Sequence, residues 1–158
     1  MAPPFTRSDA IKELEQFGIR GSDVYLIDVL PLIEMMWADG AIQDVERGLL
    51  EKFVGEHVAN VNALAGFPAL KPEDAQKFIE RFLATRPQPE TLEILRKLIP
   101  VVRLGSSDNV RNEQHRKAIL RWCLDIGASC VTDYPYGDHD RFSEAEKKCF
   151  EDIFGSLR

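Results

Sequence analysis

Cysteine is scarce in this chain: Cys123, Cys130 and Cys149 are the only three in 158 residues, and no two form a Cys-x-x-Cys pair. An odd number at these spacings argues against both a disulfide framework and a thiolate metal site, and points to a reducing cytoplasm. Cys123 and Cys130 lie seven residues apart, on one helical face, where cysteine acts as a small hydrophobe. Long apolar runs are also missing. No uncharged stretch approaches a membrane span, and the opening MAPPFTRSD has neither the charged start nor the apolar core of a secretory leader. Membrane insertion is therefore not expected. Basic clusters are absent too: Arg96-Lys97, Arg116-Lys117 and Lys147-Lys148 are isolated pairs in a chain of net charge −6. Such pairs read as solvated faces, and nucleic acid is not an expected partner.

Catalytic signatures are equally thin. His57, His115 and His139 form neither Glu-x-x-His nor His-x-x-x-His, so a ferritin-like di-iron centre is disfavoured and each histidine reads as a surface residue. There is no Gly-x-Ser-x-Gly, phosphate-cradling glycine loop or Cys/His pairing to support nucleophilic catalysis. Trp37, Trp122, Met35 and Met36 read as core.

What is present is helical periodicity, with apolar residues recurring at three and four and no strand-like alternation. Ser8 is the expected cap of a first helix running to Phe17, closed by Gly18 and Gly21. Ser22 opens DVYLIDVLPLIEMMWA, apolar nearly all round, which marks an enclosed central helix with a kink near Pro31. A helix from Asp44 to about Asn60 follows, with Gly48 and Gly55 expected to let another helix approach. Pro72 and Pro89 begin two further helices, the second bent at Pro100. Two more are expected over 110–132 and 143–154. The reading is an all-α domain of about seven helices in a compact bundle, one unit over 1–158.

An internal repeat runs through it. Ile42, Glu46, Leu50 and Phe53 recur as Phe142, Glu146, Phe150 and Ile153, at an offset of one hundred. Upstream, Asp133 answers Asp39 at an offset of ninety-four, so the second copy holds six extra residues in its loop. The halves, about 22–61 and 110–155, share one order: apolar helix, Asp, Gly-containing turn, apolar plug, and Glu in the first turn of an amphipathic helix. Ser143-x-x-Glu146 makes a good capping box, whereas Gln43-x-x-Glu46 is a poor one because Gln is not a favoured cap.

Ala38-Asp39-Gly40 with Glu46, and its stretched counterpart Asp133 with Glu146, resemble the TerB-like domain of tellurite-resistance proteins. The second copy departs from the pattern, with Thr132-Asp133-Tyr134 in place of the Asp-Gly pair. The resemblance covers roughly residues 22–155. It implies a pseudo-twofold helical fold, a bacterial cytoplasmic setting, a link to tellurite and other stress responses, and action through protein contacts rather than a defined reaction. It also implies a divalent-metal site built from the acidic residues of both repeats.

Carboxylate oxygens without His or Cys suit hard cations: calcium, magnesium or manganese. Asp39, Glu46, Asp133 and Glu146 are the expected ligands, with Asp138 and Asp140 in reserve within the insertion. Glu34, set among large apolar groups, needs a cation, a basic partner or a proton. It is either a ligand at the same helix end or the partner of an arginine such as Arg121 or Arg103. The competing reading of the whole chain is a structural or homodimerising helical module whose carboxylates are caps. A metal-dependent hydrolase or oxygenase stands third.

Overall fold

The computed structural model describes residues 5–38, 40, 42–105, 107–129 and 144–157. Among them seven α-helices and one 3₁₀ helix are found and no strand, so the fold is all-α. The helices are α1 (Arg7–Gln16), α2 (Leu30–Trp37), α3 (Asp44–Ala65), α4 (Pro72–Leu83), α5 (Pro89–Arg103), α6 (Asn109–Ser129) and α7 (Glu144–Ser156). The 3₁₀ helix is Gly21–Val29 and leads directly into α2.

Local chemistry sets most of the boundaries. Thr6, not Ser8, caps α1: its hydroxyl accepts from Asp9 N while Asp9 Oδ2 accepts from Thr6 N at 2.9 Å. The reciprocal pair satisfies two backbone donors that a lone Ser8 cap would leave open. Pro31 does not kink one long helix, as the sequence suggests. The segment instead runs as 3₁₀ helix to Val29 and becomes α-helix at Leu30, placing the proline in the first turn of α2. There its missing N–H has no intrahelical partner to lose. Helix α3 extends to Ala65 and stops at Gly66, whose φ of +78° is the left-handed cap geometry.

The centre of the bundle is α2. Leu30, Pro31, Leu32, Ile33, Met35 and Met36 are all buried, and the helix packs chiefly on α6, with α5, α7, α3 and the 3₁₀ helix around it. A helix apolar on every side can be stable only when enclosed, at about 1.5–3 kcal/mol for each large side chain buried. The surrounding helices supply one face each. Ala75, Phe78, Ile79, Phe82 and Leu83 come from α4, and Leu92, Leu95, Leu98, Ile99 and Val102 from α5, as their spacing predicts. All seven α-helices contribute to one continuous hydrophobic cluster. Trp37 and Trp122 are half-buried against it, and the indole of Trp122 stacks on Phe53 at 5.6 Å.

Gly48 and Gly55 do not admit a neighbouring helix. Both face solvent on α3, and a Cβ at either would meet nothing within 4 Å. Val45, at apolar helical spacing with Leu49 and Phe53 on α3, is 51% exposed rather than buried.

Candidate functional site

The residues expected to hold a cation fall into three groups. Asp39, Asp133 and Asp140 lie outside the described residues, as do Asp138, His139 and the Ser143 cap. Glu46 and Glu146 are each the third residue of their helices, α3 and α7, and both are nearly inaccessible, at 2% and 3% exposure. Glu34 faces a different part of the molecule.

Glu46 reaches back over the first turn of α3, its Oε1 accepting from the backbone N–H of Gln43 at 2.9 Å. This is the carboxylate half of a capping box. The poor quality of Gln43 as a cap residue therefore does not keep Glu46 out of that role, because the bond it makes is to Gln43's backbone. Across the preceding turn Gly40, at φ +90°, donates its N–H to Trp37 O at 2.8 Å and closes α2. Of the pairs that the sequence repeat relates, Phe53 and Ile153 are both core and the two glutamates are both buried, whereas Leu50 is fully buried and Phe150 only partly. Among the described residues, no three His, Cys, Asp or Glu side chains are grouped so as to hold a metal ion.

Glu34 is paired with an arginine, but with Arg96 of α5 rather than Arg121 or Arg103. Arg96 Nη1 donates to Glu34 Oε2 at 2.6 Å, and its Nε donates to Ser156 Oγ at 2.8 Å, tying α2, α5 and α7 together. Only 9% and 10% of the two charged side chains are exposed. Burial lifts the Glu34 carboxyl to about 7, against the downward pull of Arg96, with Asp152 and Glu93 adding to the rise. Oε1 of Glu34 is buried and has no hydrogen-bond partner among the described residues. The pair forms part of the floor of a cleft of about 860 Å³ between α2, α5 and α7. Cys149 also lines it, its thiol pushed up to about 12 mainly by burial, which makes it a poor nucleophile.

A second charged centre was not anticipated. Asp28, in the 3₁₀ helix, is fully buried and meets one guanidinium and two imidazoles from three helices. Arg103 Nε of α5 donates to Oδ2 at 3.0 Å, His115 Nε2 of α6 lies 2.7 Å from the same oxygen, and His57 Nε2 of α3 lies 3.5 Å away. His57 Nε2 is also 2.7 Å from Tyr25 O, while the Arg103 guanidinium sits over the Tyr25 ring at 5.0 Å. Burial pushes the Asp28 carboxyl up, but the His115 hydrogen bond and the charges of Arg103, His57 and His115 outweigh it, leaving it below the usual range. Burial holds the His57 imidazole below its ordinary value, against the pull of Asp28. Two histidines that read as surface residues are thus part of an interior network, with His57 only 4% exposed. The signal was available in LIDVL: an aspartate among apolar residues needs a partner, by the same reasoning that singles out Glu34.

In comparisons with family models, with curated proteins and with solved structures, nothing matches this chain. No helix among the described residues is long and apolar enough to cross a membrane.

Proposed function

We propose that this chain is a non-enzymatic, TerB-like cytoplasmic domain that binds a divalent cation between its two acidic loops and acts through protein contacts, in the stress-response setting that the resemblance implies. One observation carries the reading. Glu46 and Glu146, the pair that the sequence repeat relates, each stand third in their helix, α3 and α7, and both are buried, which supports a shared role for the two carboxylates. The donor set is oxygen only, which fits calcium, magnesium or manganese. Glu46 and Glu146 would hold the cation with Asp39 and Asp133, and Asp140 stands in reserve. Glu34, engaged by Arg96, is left out of the set. The bound ion would neutralise the loop carboxylates and fix the loop for a partner.

A second reading has its own support. The bond from Gln43 N to Glu46 Oε1 is what a structural or homodimerising module with capping carboxylates requires. Thermal melting separates the two. A cation at a hundred times its dissociation constant adds about 2.7 kcal/mol to stability. The first reading predicts that rise with one of calcium, magnesium or manganese, its reversal by EDTA, and its loss in Asp39→Asn combined with Asp133→Asn. A melting temperature indifferent to all three ions and to EDTA leaves the capping module.

A further inference from the structure

From the cleft between α2, α5 and α7 we infer that the protein binds an aliphatic primary amine, whose ammonium group meets Glu34 on the floor while its chain lies along Trp37, Pro87, Pro89 and Leu92. The inference is independent of the cation site proposed above.

Three observations lead to it. The first is Glu34 itself: the side chain is nine-tenths buried, one oxygen is held by Arg96, and the other lacks any hydrogen-bond donor among the described residues. A buried acceptor in that state calls for a donor, and an ammonium group is a compact one with three N–H bonds. The second is the company it keeps. Glu93 of α5 and Asp152 of α7 line the same cleft and bear electrostatically on Glu34, and Glu151 stands with them. Arg86, Lys97 and Lys148 line the cleft too; Lys97 is 2.9 Å from Glu93 and Lys148 3.9 Å from Asp152, and the two lysine side chains are 62% and 79% exposed. Such exposed pairs are weak and yield to a cation held deeper. The third is shape and chemistry. The cleft is far larger than a bare ion needs, and Trp37, Pro87, Pro89 and Leu92 give an amine's hydrocarbon chain something to cover. The chain's net charge of −6 favours the approach of a cation over an anion.

Oε1 is shielded from solvent, so contact requires a small turn of the carboxylate while Arg96 retains Oε2.

Calorimetric titration of the full-length protein with butylamine, butan-1-ol and butyrate at pH 7.5 tests the proposal. Butylamine is expected to bind about tenfold or more tighter than butan-1-ol, the margin of a charge-assisted hydrogen bond, and butyrate is expected to give no binding. Glu34→Gln should weaken the amine by about tenfold or more, with retained folding checked by circular dichroism. Asp152→Asn, at an exposed position, should weaken it less, and serves as the measured variant if Glu34→Gln does not fold. Equal binding of the alcohol, preferential binding of butyrate, undiminished amine binding in the variant measured, or no heat with butylamine up to about 10 mM would each overturn the assignment.

Discussion

Two buried carboxylates, Asp28 on the 3₁₀ helix and Glu34 on α2, behave in opposite ways, because their surroundings differ. Asp28 has a guanidinium and two imidazoles from three helices, and its carboxyl is held low; Glu34 has one arginine and nearby acids, and its carboxyl is lifted to about 7. Removing the charge of Asp28 strands Arg103 and the histidines, so Asp28→Asn should cost about 3–5 kcal/mol in urea unfolding. A cost below about 1 kcal/mol would mean that the network holds nothing together. For Glu34 the sign is reversed. The folded chain takes up a proton that the unfolded chain lacks between 4.5 and about 7, so stability falls as pH rises through that window. The lift corresponds to something on the order of 3 kcal/mol. His57 runs the other way: its contribution is full above 6.5 and is lost as pH falls from there toward its lower folded value. Comparing wild type with Glu34→Gln isolates the glutamate. The variant should lose less stability than wild type between pH 5 and pH 8, and parallel curves would show that Glu34 ionises without penalty.

At the scale of elements, caps and prolines were legible because they act within a few residues. Pro72 and Pro89 begin α4 and α5 where the sequence places them, and the buried stripes of both helices follow the three-four spacing. The 3₁₀ segment was not legible. Gly21–Val29 holds one strong α-helix former, Leu26, among Gly, Ser, Asp and β-branched residues of weaker propensity, and its packing against α2, α4 and α5, together with the proline two residues on, sets its form. Glycines illustrate the same limit. Gly48 and Gly55 look like packing glycines in a list of residues, yet they face solvent with room for a methyl group. Each replaced by alanine should stabilise the protein by about 0.5–1 kcal/mol, read as a raised urea midpoint. Gly66→Ala should do the reverse by about 1 kcal/mol, because alanine resists the left-handed conformation that ends α3. A loss at Gly48 would point to a contact surface on that face of α3.

For the whole molecule, one apolar cluster joins residues from α1 to α7, and α2 lies inside it. Unfolding should accordingly be cooperative. Fluorescence of Trp37 and Trp122, which report on α2 and α6, should follow the same urea curve as far-ultraviolet circular dichroism, and separated midpoints would reveal two units. The all-α class, the central position of α2, the core faces of α4 and α5 and the need of Glu34 for a partner were all determined by the sequence, since periodicity and burial cost act along one chain segment at a time. The choice of partner was decided only by tertiary structure. Arg96 and Arg103 lie on one helix, seven residues apart, and nothing local says that the first meets Glu34 while the second meets Asp28. The same holds for His57 and His115, drawn from α3 and α6 to one carboxylate on the 3₁₀ helix. Such pairings depend on how far each helix is rotated and translated against its neighbours, which is set by packing across the whole core.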